Sequence, residues 1–347
     1  MNRIWLTYIF IFSAFILKAQ DIHFSQFQEA PLCLNPALAG TSPNWGRVNM
    51  NYRSQWSAFG KAYNTMGLSL DLPTWSRQKK QKSFLGVGLN VFNDKAGSSD
   101  FRKFLAAGDI SAIIKTSRGF FSGGIQVGYG QNSFNAQGLK WPDQFDGMGY
   151  NSGIGVTEVL AAKRSYLDLG AGAAYIFTKN NKIGDRQEKN QLIIGLSAYH
   201  LNRPDVGLGA TDIAKLRYNL FVYNQHTNPN TNIRFTESML FSLQGKLWEM
   251  NIGGGIVYLM QESSQITGLK QEKGLIFNLN YRVKDALIPQ FGIYMGRYSV
   301  CISYDANISR LTPYSYGRGG FEISLKAWDV DGLLFKQGRK YTAYGKF

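Results

Sequence analysis

After residue 19 the chain holds no apolar run long enough to cross a bilayer as a helix, yet it is built from short segments whose side chains alternate in polarity. Lipid offers no partners to backbone N–H and C=O groups, so a chain without spanning helices crosses a membrane only as a closed β-barrel. Met66, Leu68, Leu70 and Leu72 alternate with Gly67, Ser69 and Asp71. Leu275, Phe277, Leu279 and Tyr281 alternate with Ile276, Asn278, Asn280 and Arg282. Val300, Ile302 and Tyr304 alternate with Cys301, Ser303 and Asp305, and Phe321, Ile323 and Leu325 with Glu322, Ser324 and Lys326. A charged side chain facing mid-bilayer lipid costs about 2–4 kcal/mol, so the faces carrying Asp305, Glu322 and Lys326 must turn to the lumen.

This period predicts an all-β fold, a single antiparallel transmembrane β-barrel of about fourteen strands. They are expected at 47–57, 63–72, 83–93, 102–115, 119–133, 160–177, 189–201, 216–226, 232–245, 247–260, 274–282, 287–297, 299–308 and 319–328. Ser117 to Gly119 and Asn228 to Asn230 have the composition of reversals. The longest stretch without strand character runs from Phe134 to Val159. Counted from a periplasmic N-terminus, it lies outside the cell.

The start of the chain reads as an export signal. Arg3 supplies the charge, Ile4 to Leu17 the apolar core, and Ala19 the small residue before a cut ahead of Gln20. The apolar stretch is shorter than the roughly 20 residues of a membrane helix. The domain reading is therefore 1–19 signal peptide, 20–44 plug or cap, 45–328 barrel and 329–347 basic tail. Charged residues form 18% and aromatics 14% of the chain, the profile of half-apolar strands with aromatic girdles. Loss of Arg3 and Lys18 lowers the formal net charge from +15 to +13. That excess suits an anionic surface or an acidic partner; for an exported chain without a nucleic-acid motif, nucleic acid is not expected.

Three histidines and two cysteines exclude a disulfide framework and give no metal-ligand spacing, so neither cofactor nor metal is expected. Ser197 and His200 stand three apart and would face opposite sides of one strand, which argues against a nucleophile–base pair and against an enzyme. Cys33 and Cys301 permit one pairing, a staple between the N-terminal segment and the wall, against the competing reading of two free thiols.

Residues 21–44 carry Pro31, Pro36 and Pro43 and do not read as a membrane strand. The segment would plug the lumen, cap a mouth or hang free. Within it Asn35 suits an N-cap, Pro36 a first helical position and Gly40 a C-terminal stop, with Phe24 and Phe27 as further docking or plug residues. On the first strand Asn51, Arg53 and Gln55 share the lumen face, and Arg53 needs a buried carboxylate from Asp71, Asp305 or Glu322. Trp141, Asp143, Phe145 and Asp146 form an aromatic and acidic loop suited to contact with another protein, or to folding back over the barrel mouth.

Several motifs recur in a fixed order: His23 to Phe27 (HFSQF), Pro31 to Gly40 (PLCLNPALAG), Asn51 to Trp56 (NYRSQW), Trp141 to Asp146 (WPDQFD), Gly170 to Tyr175, Ser197 to Pro204, Ser303 to Ser309 and Gly317 to Leu325. This series resembles the PorP/SprF family, outer-membrane proteins of Bacteroidetes tied to type IX secretion and gliding motility. The resemblance implies a Gram-negative outer-membrane barrel, reached through a cleaved signal peptide, that works without chemistry. It would help export or anchor a secreted surface protein, an adhesin with a C-terminal sorting domain. Other implied partners are type IX secretion components, a peptidoglycan-binding periplasmic lipoprotein and outer-membrane lipid. The competing reading is a passive outer-membrane channel or hydrophobic-substrate transporter.

Overall fold

The computed structural model describes residues 21, 23–42, 46–55, 62–74, 82–97, 100–135, 144–151, 153–154, 163–183, 186–227, 231–261, 271–309 and 312–328. The signal peptide and the basic tail expected at 1–19 and 329–347 lie outside them, as does the Asn228 to Asn230 reversal. Fourteen antiparallel strands close into one barrel, each paired with its chain neighbours. They are β1 (Arg47–Gln55), β2 (Tyr63–Pro73), β3 (Ser83–Ala96), β4 (Phe101–Thr116), β5 (Gly119–Ser133), β6 (Lys163–Ile183) and β7 (Arg186–Tyr199). The second half comprises β8 (Arg217–Thr227), β9 (Ile233–Gln244), β10 (Leu247–Gln261), β11 (Lys273–Arg282), β12 (Ala286–Met295), β13 (Tyr298–Asn307) and β14 (Arg318–Trp328). Closure is made by β1 against β14, with Arg53 opposite Glu322 and Asn51 opposite Ser324. A closed sheet has no free edge, so every spanning strand satisfies its backbone.

The expected alternation sets the two faces. Met66 and Leu68 are 56% and 46% exposed, whereas Gly67 between them and Ser69 and Asp71 beyond are buried. Phe277, Leu279 and Tyr281 face outward while Asn280 and Arg282 face the lumen, and Ile302 and Tyr304 do so against Ser303 and Asp305. Outward residues such as Leu89, Ile110, Ile125, Leu167 and Leu196 form the apolar surface that meets lipid. The greatest boundary difference is at β6 and β7, whose hairpin extends to Ile183 and resumes at Arg186, beyond the apolar part of either strand. Their ladder continues through Asn181 and Lys182, because backbone pairing needs no apolar side chain once the strands project past the membrane.

Odd strands run away from the rim where β1 begins and β14 ends, here called the terminal rim, and even strands return to it. The long β5–β6 connection and the β7–β8 connection at 200–216 therefore stand at the opposite, far rim.

Candidate functional site

Residues 21–42 run through the lumen as a strap, from Asp21 at the far rim to Gly40 near the terminal rim. Its fit begins with short-range geometry. Pro31–Leu34 makes one helical turn and Pro36–Leu38 a 3-10 turn, each with proline where no backbone donor is needed. Asn35 caps the second turn by accepting the N–H of Ala37 at 2.8 Å. Its amide donates to the carbonyls of Ala173 on β6 and Leu196 on β7, both at 2.9 Å. One side chain thus shapes the strap and ties it to the wall.

The wall makes room by lacking side chains. A Cβ on Gly124 would lie 2.6 Å from the Ala37 nitrogen, one on Gly172 2.1 Å from Asn35 Oδ1, and one on Gly86 2.1 Å from the Ala39 carbonyl oxygen. Beside these contacts Ser122 donates to the Ala37 carbonyl (2.6 Å) and Ser111 to that of Ala39 (2.7 Å). Gly40, at φ +67°, turns the chain out of the lumen, and its N–H donates to Asp71. Phe27 packs with Leu34, Leu38, Ile176, Phe221 and Leu240, while Phe24 lies on Phe92 at a ring separation of 6.1 Å and over Gly67.

Towards the far rim the strap meets a buried ionic network. Arg53 donates to Asp305 at 2.9 Å and to the His23 carbonyl at 2.5 Å, and stands 3.9 Å from Glu322. Glu322 accepts the N–H groups of Ser25 (2.8 Å) and Gln26 (3.0 Å). Arg282 joins Asp305 at 2.7 Å and Ser25 Oγ at 2.6 Å. Gln26 donates to Ser303 and accepts from Ser324. Buried charges persist when each is paired and hydrogen-bonded, and here the strap completes the set. Of the three expected partners of Arg53, Asp305 and Glu322 are in place and Asp71 is not. Asp71 instead binds Arg47 at 2.8 Å, because its register on β2 places it opposite the start of β1. Asn51 is buried at the β1–β14 seam, and Gln55 is half-buried at the rim.

A second cluster fixes the strap's outer end. The Asp21 carboxylate contacts Lys103 of β4 and Nε2 of His200, and Gln244 of β9 donates to it at 2.9 Å. The other ring nitrogen of His200 lies 2.8 Å from Asp168 of β6. Burial opposes the charge on His200, but the two flanking carboxylates prevail and raise its pKa to about 9. Burial likewise opposes charge on Asp21, yet Lys103 and His200 hold its carboxyl well below the usual range. A cavity of about 60 Å³ adjoins this cluster, lined by Leu32, Cys33, Asn90, Phe92 and Tyr166 among others.

One sequence expectation needs correction. Ser197 and His200 do not face opposite sides: His200 follows the last residue of β7 with φ +59°, which turns its ring inward. They form no pair even so, since Ser197 Oγ donates to the Leu34 carbonyl at 2.5 Å. Of the two readings of Cys33 and Cys301, the structure has the two free thiols and not the staple, and Cys301 faces the lumen as expected. Trp141 and Asp143 lie outside the described residues. Phe145 and Asp146 stand on the far-rim loop, where Asp146 Oδ1 accepts the N–H groups of Met148 and Gly149, and Phe145 bridges to Tyr150. Phe145 and Met148 are 61% and 98% exposed. Asp21, Lys103, Asp168 and His200 were not singled out as a cluster from sequence. The one local signal was an ionisable residue, His200, directly after an apolar strand.

The profile of one family, described as type IX secretion system membrane protein PorP/SprF, matches residues 16–327. No curated protein sequence matches the chain. Among solved structures it is similar to a TodX monoaromatic hydrocarbon channel mutant, at 12% identity and TM-score 0.47, covering 86% of this chain and 93% of that one. BamA from Haemophilus ducreyi lacking POTRA domains 1–3 aligns at 8% identity and TM-score 0.38, over 82% of this chain and 70% of the other. The β domain of the Bordetella autotransporter Brka aligns at 10% identity and TM-score 0.36, over 82% and 97%.

Proposed function

The chain belongs to the PorP/SprF family of type IX secretion system membrane proteins, and from that premise we propose that it is a plugged, non-enzymatic accessory that helps export or anchors a particular secreted surface protein. It resides in the Gram-negative outer membrane as a fourteen-stranded barrel. The observation that supports the reading is the strap, which is hydrogen-bonded to the wall from Asp21 to Gly40 within a lumen that a passive channel would keep open. Binding surfaces therefore do the work. With the start of β1 and the end of β14 on the periplasmic side, the far-rim loop of Phe145 and Met148 faces outward and is the docking site for an adhesin with a C-terminal sorting domain. The terminal rim faces the periplasm, where secretion components and a peptidoglycan-binding lipoprotein are the partners.

Mild-detergent affinity purification from native outer membranes, read by mass spectrometry, tests this. Recovery of a sorting-domain protein or type IX components is expected. Recovery of the barrel alone, from membranes whose other complexes survive, together with steady ion-selective current in planar bilayers, would favour the channel or hydrophobic-substrate transporter.

A further inference from the structure

The outer end of the strap is held as a ligand is held. Lys103, His200 and Gln244 come from three separate parts of the wall and converge on the carboxylate of Asp21. Gln244 grips the same residue twice, since its Oε1 also accepts the Asp21 N–H at 3.0 Å. Arg217 of β8 lines the adjoining cavity. Without Asp21, Lys103 and the imidazole of His200 would be left facing the vacated position beside one carboxylate, Asp168. A carboxylate is therefore what the wall is built to receive.

The space beside it is also unfinished. Asn90 Oδ1 and Tyr166 Oη line the cavity, are buried, and have no hydrogen-bond partner. Buried polar atoms normally find one, so their presence points to a guest with polar groups of its own. Leu32, Phe92 and Leu105 supply apolar walls on the other side. We propose that this far-rim pocket is a carboxylate-binding site for a polypeptide, occupied here by the chain's own Asp21, which the incoming carboxylate displaces. The identity of the ligand as a polypeptide rests on the docking function proposed above; the carboxylate site itself does not.

Tethering gives Asp21 an effective concentration in the millimolar range, so the intact barrel should bind free carboxylates weakly. The test uses the full-length barrel in detergent with Asp21→Ala, and with the isosteric Asp21→Asn should the first variant not fold. Acetate is expected to raise the melting temperature by several degrees over acetamide with matching chloride. Adding Lys103→Met or His200→Gln should abolish that difference. Equal effects of acetate and acetamide, or an acetate effect that survives Lys103→Met, would overturn the site. Labelled octapeptides then identify the ligand. One ends in a free carboxylate, and the other carries an internal Asp and a C-terminal amide. Either should bind Asp21→Ala at least tenfold more tightly than the unsubstituted barrel, and the one that does assigns the group to a chain terminus or an acidic side chain. Binding of neither peptide would overturn the polypeptide ligand. These arms need no client, so their failure is separable from failure of co-purification.

Discussion

His200 sits between two carboxylates from different parts of the chain, and this gives the strap a pH dependence of definite sign. Its pKa lies near 9 in the folded barrel against an ordinary 6.5. A group whose pKa is raised on folding binds more protons in the folded state. Its stabilisation is complete below about pH 6.5 and is lost as the pH rises through 9. The full linkage is on the order of 3 kcal/mol. Urea midpoints measured from pH 6 to pH 10 should fall across that window, and His200→Gln should flatten the fall. An unchanged slope in the variant would assign the dependence to another group. Arg53 makes a sharper residue-scale case. Arg53→Met leaves Asp305 with Arg282 but removes the cation nearest Glu322, which is buried and bound to strap N–H groups. Breaking such a buried network costs about 3–5 kcal/mol, visible as unfolding in urea well before the unsubstituted barrel. The paired change of Arg53→Met with Glu322→Gln should recover part of the loss.

At the scale of elements, strap and wall are complementary because one is shaped by proline and asparagine and the other by glycine. Gly124→Val tests the fit: its Cβ alone would meet the Ala37 nitrogen at 2.6 Å, where backbone cannot yield as a flexible side chain does. The variant should retain the barrel's circular dichroism but pass current in planar bilayers, with protease cutting within residues 21–42. An electrically silent and protease-resistant Gly124→Val would show that the strap tolerates displacement. These elements also mark how far sequence reasoning reaches. The strands were legible because lipid and lumen impose opposite polarity on neighbouring side chains, as on β2, β11, β13 and β14. The Asn35–Pro36 turn was legible because its chemistry is local. The contacts of Asn35 with Ala173 and Leu196, 138 and 161 residues away, were not, since nothing local pairs a strap residue with a wall strand. Asp71 failed as the partner of Arg53 for the same reason: both face the lumen, but register decides which cation each carboxylate meets. His200 was assigned to the wrong face because a positive φ after β7 reverses the facing that strand period gives it.

For the whole molecule, the strap lies along the lumen with its outer end at the far rim, where the loop of Phe145 and Met148 exposes the apolar side chains proposed above to meet a partner. Hydrogen bonds within residues 144–151 hold the described part of the loop in shape. Asp146 accepts two backbone N–H groups at 2.9 and 2.8 Å, and the Phe145–Tyr150 bridge closes the turn beneath the exposed Met148. Aromatic side chains on such ordered tips commonly carry a disproportionate share of binding energy, about 2 kcal/mol or more each at a hot spot. Neither Phe145 nor Met148 contributes to the barrel core, so Phe145→Ser with Met148→Ser should leave the melting temperature within a degree or two. Recovery of the proposed sorting-domain partner in affinity purification should nevertheless fall at least tenfold, the equivalent of about 1.4 kcal/mol. Asp146→Ala should act in the same direction but more weakly, because it loosens the turn without removing the contact residues. Loss of partner together with a lowered melting temperature would locate the effect in the barrel. Undiminished recovery from the double variant would move the docking surface away from this loop, with the 200–216 connection on the same rim the next place to substitute.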